Sequence, residues 1–364
     1  MTPREEEVME LIKKNPRMSQ KEIAQRLNIE RSSVAAHINN LMKKGYILGR
    51  GYLFRQDPYI VVIGGANIDL RGIPQSVLKM KDSNLGFIQS SPGGVGRNIA
   101  ENLARLSNQV YMICMLGDDH WGRVIMDQGH LGGQLSYEKS YIMPGRKSPV
   151  YLEILDENKD MLTAINDMAL VEELTVRKLT QHRKFIENAS YVVLDTNLPQ
   201  ASLAYLLKKV PQKYIIDGVS GIKVMKIQDY LDKVYLLKVN QYEAAALAGL
   251  EVQSAKDYPK LARTLLDRGL DYLVITAGKE GAWAFHKDQV IHLKGKDLEV
   301  KNATGAGDAF TAGLAHGLGQ DKSLKESLYF AMGASRLALK SEKTNTEEMS
   351  TEKIKREIEE VFEC

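Results

Sequence analysis

Residues 302–314 read NATGAGDAFTAGL, with small residues and an acid set where an apolar helix begins. Small residues permit close backbone approach, and the first turn of a helix leaves N–H groups without intrahelical partners. The helix dipole favours negative charge at that same end. Two questions follow. One is whether the N–H groups of Gly305, Ala306 and Gly307 hold an anion; the other is whether Asp308 acts on a group beside it.

Upstream of this stretch, apolar runs recur at 57–70 (DPYIVVIGGANIDL), 110–117, 191–197, 214–218, 235–240 and 272–278. Helical patterns lie between them, among them GRNIAENLARLS, QASLAYLLKKV and YPKLARTLLDRG. This alternation predicts an α/β domain with a doubly wound, mostly parallel sheet covered on both faces. Asn67 and Asp69, Asp195 and Asn197, Asp217, Asn240 and Thr276 fall where the runs end. Open parallel sheets bind ligands beyond the carboxyl ends of their strands. Singly, each of these residues suits a helix cap; together they read as a site. Residues 71–92 and 136–168 interrupt the alternation with strand-like segments and turn signals at 82–84 and 156–158. They are expected to form a small β lid that excludes water, the alternative being solvated hairpins.

SPGGVGRNIAENLARL, residues 91–106, puts Gly93 and Gly94 before a second helix, with Asn98 on its first turns. No Lys-Ser/Thr follows, so this is not a Walker loop, and GGVGRN lacks the last glycine of a dinucleotide fingerprint. Paired with NATGAGD some 200 residues later, it acquires a specific meaning. From about residue 58 to 350 the chain resembles the PfkB/ribokinase family of carbohydrate kinases, with GGVGRN and ATGAGDAFTAGL matching its two signature regions.

The resemblance implies a ribokinase-like fold and ATP-dependent phosphorylation of an alcohol. It makes Asp308 the base for the attacking hydroxyl, and the N–H groups of Gly305, Ala306 and Gly307 an anion hole for the transferred phosphoryl. Asn67, Asp69, Gly93, Gly94 and Asn98 fall on the acceptor side. NQYE (240–243) matches the family's N-x-x-E, so Asn240 and Glu243 are expected to support Mg²⁺ and phosphate, largely through water. TAGKEG (276–281) resembles the nucleotide loop, through Thr276, Gly278 and Gly281, with Thr304 also on the ATP side. GGANIDLRG, DSNLG, AINDM and the two signatures look like the pseudouridine-directed branch, which places Asn84 and Asn166 on the lid side near a nucleobase and makes pseudouridine 5′-phosphate the product. Ribose, another sugar or another nucleoside is the alternative acceptor. Asn302 stands where Asp is common in a loop linked to monovalent cations, which leaves K⁺ open. Asp217-Gly218 replaces a common Asp-Pro, and Val239 a frequent Pro.

Residues 1–56 carry 11 Lys+Arg against 6 Asp+Glu, whereas the remainder carries 38 against 40. That asymmetry is the electrostatic signature of a nucleic-acid-binding appendage. REEEVMELIKKN spaces Val8, Leu11 and Ile12 on one helical face, SQKEIAQRLN opens on a capping-box pair (Ser19, Glu22), and ERSSVAAHINNLMKKG repeats Val34, Ile38 and Leu41. YILGRGYLF follows as two short strands of a wing. This resembles a winged helix-turn-helix domain over 1–56, ahead of a kinase domain at 57–364. Its third helix would offer Arg31, Ser32, Ser33, His37 and Asn40 to double-stranded DNA, and its wing Arg50. A three-helix dimerisation module is the other reading.

Hydrophobic content of 44% and charged content of 26% describe a globular protein, and no apolar run reaches the roughly 20 residues that span a bilayer. Two cysteines, Cys114 and Cys364, do not make a disulfide framework. With no secretory core at the N-terminus, a cytoplasmic location is expected. A homodimer is expected because both lid pairing and helix-turn-helix binding favour two-fold assemblies. A transcription regulator using a kinase fold as ligand sensor is the competing function.

Overall fold

The computed structural model describes residues 1–364 apart from 17, 48–57, 129–132, 159, 288 and 363–364. They group into two compact units, Met1–Pro58 and Tyr59–Cys364.

The first unit holds α1 (Pro3–Lys14), α2 (Gln20–Leu27) and α3 (Arg31–Lys43). The capping box at α2 forms: Ser19 Oγ accepts from Glu22 N at 3.2 Å, and the Glu22 carboxylate accepts from Ser19 N at 2.7 Å. Val8, Ile12, Ile23, Val34, Ile38 and Leu41 make the buried centre of the three helices, with Leu11 only partly covered at its edge. Each such burial contributes roughly 1.5–3 kcal/mol. Asn28 at φ +51° ends α2, and Gly45 at φ +76° follows α3, left-handed positions that Asn and Gly tolerate best. Of the expected wing, Ile47 is buried in the first unit, while residues 48–54, with Arg50, lie outside the described residues.

In chain order the second unit contains β1 (Ile60–Ile63), β2 (Asn67–Pro74), β3 (Gly86–Gly93), β4 (Val110–Ile113), β5 (Met115–Gly117), β6 (Leu135–Ser136), β7 (Tyr141–Met143), β8 (Val150–Leu155), β9 (Met161–Asp167), β10 (Tyr191–Asp195), β11 (Tyr214–Asp217), β12 (Leu236–Asn240), β13 (Tyr272–Thr276), β14 (Ala282–His286) and β15 (Gln289–Leu293). Nine of them form one sheet in the order β15-β14-β13-β12-β11-β10-β1-β4-β6. All its pairs are parallel except β13–β14 and β14–β15, an antiparallel hairpin at one edge that the sequence reading did not include.

Alternating side chains of these strands feed two separate cores. Val61, Ile63, Val192, Leu194 and Ile216 join one cluster, while Ile60, Val62, Val193, Ile215 and Val274 join the other. Both faces are therefore helix-covered, as the uninterrupted apolar runs require.

The run at 57–70 proves to be two strands in two different sheets. The chain leaves β1 at Gly64-Gly65, where the Asp195 carboxylate accepts from Gly65 N at 2.8 Å, and enters a second sheet as β2. That sheet has the order β3-β2-β8-β9. The 110–117 run likewise divides at Cys114, with β5 pairing β7 away from the large sheet.

Candidate active site

The Ala306–Gly319 helix starts from Gly305, whose φ of +84° is left-handed. A Cβ at Gly305 would run into the backbone oxygen of Thr344, so only glycine makes this entry without strain. Among the described residues, the N–H groups of Gly305, Gly307 and Asp308 have no backbone partner, and that of Ala306 has a single long contact of 3.4 Å to Ala303 O. The amides of Gly305, Gly307 and Asp308 are therefore free to receive an anion.

Asp308 lies on the first turn of the same helix. Its Oδ2 accepts from Asn98 Nδ2 at 2.7 Å. Asn98 is carried by α4 (Val95–Arg105), which begins at Gly94 with φ +96°, tight against Gly65 and Ala66. Burial, followed by the like charge of Asp217, pushes the Asp308 carboxyl up to about 7, against the Asn98 hydrogen bond and the positive charge of Lys238. A carboxylate poised there can exchange a proton near neutrality.

Lys238, inside β12, is a residue that sequence reasoning missed, as it missed Tyr151 and Lys223 of the cavity that Asp308 lines. The Lys238 ammonium pairs with Asp217 Oδ2 at 3.1 Å and would lie 3.1 Å from a Cβ placed on Gly307, directly behind the amide loop. Thr311 Oγ1 donates to the same Asp217 oxygen at 2.6 Å. The available signal was a charged residue interrupting the apolar run YLLKVN.

Asn67, Asp69, Gly94, Asn98, Asn166, Thr304 and Asp308 line one cavity of about 570 Å³, a size suited to a small organic ligand. Asn67 Nδ2 donates to Asp69 Oδ1 at 2.6 Å, and burial raises the Asp69 carboxyl above its ordinary range. Gly93 pairs with Asn67 across β2–β3, and a Cβ there would strike the Asp69 carboxylate. Asn197 and Lys223, joined at 2.6 Å, complete another wall. Asn84 is a correction. It sits exposed at the β2–β3 connection with its amide committed to Lys79 and Asp82, and does not line the cavity. A turn-capping role won over ligand contact, which is the usual fate of an Asx residue in a loop.

Asn240 and Thr276 are opposite one another at the carboxyl ends of β12 and β13. Gly278 (φ +54°) and Gly281 (φ +94°) shape the turn that follows. Asn240 caps the Gln241–Ala248 helix: its Oδ1 accepts from Tyr242 N and Glu243 N, both at 2.9 Å, and Glu243 returns two bonds to Asn240. Burial raises the Glu243 carboxyl. Among the described residues, no group of three or more His, Cys, Asp or Glu is placed to hold a metal ion directly. In the first unit, Arg31, Ser32 and Asn40 are exposed on α3 and Ser33 and His37 half-buried, while Val34, Ile38 and Leu41 are buried.

A helix-covered parallel sheet, a four-stranded lid and an acid at a glycine-rich helix start define a ribokinase-like phosphotransferase with an alcohol group as acceptor. The chain belongs to the pfkB family of carbohydrate kinases, whose model matches residues 57–352, and residues 1–47 match a winged helix-turn-helix DNA-binding model. It is 37% identical to the pseudouridine kinase of Escherichia coli over 81% of this chain and 95% of that protein. It is 32% identical to YeiI, an uncharacterized sugar kinase of the same organism, over 97% of this chain and 98% of that protein. Arabidopsis thaliana ribokinase, solved with ribose and ATP, shares the fold with a TM-score of 0.75 at 21% identity, covering 83% of this chain and 99% of that one. No helix among the described residues is long and apolar enough to cross a membrane.

Proposed function

We propose that this kinase transfers the γ-phosphoryl group of ATP to the 5′-hydroxyl of a nucleoside, with pseudouridine the preferred acceptor. The observation that carries the reading is the Asn98–Asp308 hydrogen bond at one cavity, with Asp308 on the first turn of the helix that opens with the unpartnered amides of Gly305 and Gly307. Asp308 takes the proton as the hydroxyl oxygen attacks phosphorus, and the amides receive the charge that gathers on the phosphoryl oxygens. Asn67 and Asp69 hold acceptor hydroxyls, Asn166 meets the base edge, and Thr276, Gly278, Gly281 and Thr304 attend ATP.

Asn240 and Glu243 suit a hydrated Mg²⁺ held through water, because their oxygens already serve the helix cap yet keep free lone pairs. When bound, the ion would offset phosphate charge. K⁺ use is not part of this proposal: Asn302 donates to Glu342 O at 3.1 Å instead of presenting a carboxylate.

The outward arrangement of the first unit supports DNA binding through Arg31, Ser32, Ser33, His37 and Asn40. A homodimer is supported by the lid sheet, where Ile88 is 81% and Ile165 64% exposed on one apolar face. The cytoplasm, where ATP is supplied, is the proposed location.

The deciding experiment is an ATP-dependent phosphorylation screen of pseudouridine, uridine, other nucleosides and free ribose, with Asp308→Asn alongside. Pseudouridine should give the highest kcat/KM. Faster turnover of ribose than of any nucleoside would favour the sugar-kinase alternative, and no turnover of any acceptor the ligand-sensing regulator.

A further inference from the structure

The register of the lid sheet places four residues in one cross-strand row. Asp69 is opposite Ser91 on one side and Tyr151 on the other, and Tyr151 is opposite Asn166. Side chains at directly opposed positions point to the same face of a sheet. Asp69, Tyr151 and Asn166 accordingly line the cavity that contains Asp308. Adjacent strands lie about 4.8 Å apart, so from Asp69 to Asn166 the row spans roughly 10 Å. That is more than one sugar ring can cover.

The chemistry changes along the row. Asp69 is braced by Asn67 and offers a carboxylate to hydroxyls. Tyr151 offers an aromatic face, and the apolar side chains of Met168 and Val171 belong to the same cavity. Asn166 offers an amide, which both donates and accepts. The next row on this face is closed by the Arg71–Glu153 ion pair, so Tyr151 is the one aromatic platform among the described residues of the cavity.

We infer that Tyr151 is a specificity residue, a stacking platform for a planar nucleobase that lets the site prefer nucleosides over free sugars. The inference rests on the nucleoside reading above. With the ribose held by Asp69 and its 5′ end at Asp308, the base lies over the Tyr151 ring and its edge meets Asn166. Stacking is indifferent to which base is present, so Tyr151 selects a class of acceptor, and the Asn166 amide discriminates within it.

The test compares wild type, Tyr151→Ala and Tyr151→Phe by steady-state kinetics on pseudouridine, uridine and ribose. Loss of a base–aromatic stack should raise KM for both nucleosides at least about tenfold in Tyr151→Ala, with kcat changed little and the ribose KM unmoved. Tyr151→Phe keeps the ring and should stay close to wild type. A uniform loss on ribose and nucleosides alike, or no change in nucleoside KM, would overturn the inference while leaving the nucleoside kinase intact. A wild-type enzyme that phosphorylates ribose but no nucleoside would overturn both.

Discussion

The side-chain amide of Asn98 donates to the carboxylate of Asp308 across 2.7 Å, linking the starts of two helices that are 210 residues apart in the chain. Each helix begins at a glycine with positive φ, Gly94 and Gly305. The bond does two things. It orients the acid toward the cavity, and it favours the ionised form that a base needs.

Asp308→Asn should lower kcat by roughly 10²–10⁴-fold, the contribution of one general base. Nucleotide affinity, measured by calorimetry, should be nearly unchanged. A variant retaining wild-type turnover would remove Asp308 from the reaction.

The acid limb of the pH–rate profile should follow Asp308. Its carboxyl is raised from 3.8 to about 7, so activity should climb as pH rises through about 7 and the base ionises. Asn98→Ala deletes an interaction that lowers this value, so the limb should move to higher pH. The same shift has a stability consequence. A carboxyl raised on folding favours the folded state below its unfolded pKa, and that advantage disappears as pH climbs through about 7. Asp308→Asn should therefore melt at a higher temperature than wild type at pH 8, with the difference shrinking near pH 4.

Lys238→Met leaves Asp217 buried without its cation, a loss of about 3–5 kcal/mol for a broken buried pair. Adding Asp217→Asn should restore much of it, because an unpaired charge costs more than an absent pair. Both tryptophans, Trp121 and Trp283, belong to the second unit, so urea unfolding followed by their fluorescence reads this unit directly. Equal stability of the single and double variants would refute the pairing argument.

Gly305→Ala forces a Cβ into a left-handed position against Thr344 O. The amide loop must shift, and losing one anion donor typically costs about 10²–10³ in kcat. Acceptor binding should survive, since the cavity wall at Asp69 and Asn67 is remote in sequence and separately braced.

In the first unit, Arg31→Ala should weaken DNA binding across sequences alike and reduce the salt slope by about one, if Arg31 contacts phosphate. A loss confined to one base pair of the site would instead assign it to base reading. Mobility shifts over a salt series decide between them.

Local rules made much of this molecule legible. The buried runs YVVLD and YIID could only be strands covered on both faces, because neither shows polar alternation. Ser19 with Glu22 marked the start of α2, because a capping box is a contact within four residues. Asn240 and Glu243 stood out through the N-x-x-E resemblance, and the bonds they make first are to each other and to their own helix. Asn84 misled because an Asx side chain next to a turn satisfies that turn, and its sequence neighbours do not reveal which use prevails.

From the chain alone came the class of fold, the glycine-opened helix behind Asp308 and the basic three-helix unit, since these depend on periodicity, caps and composition within short windows. Folding in three dimensions settled which distant groups meet. Lys238 behind Gly307, Asn98 on Asp308, and Tyr151 between Asp69 and Asn166 all arise from strand order and register, and nothing in a short window specifies either. Charge at the site is set the same way: how strongly burial raises a carboxyl depends on every element packed around it.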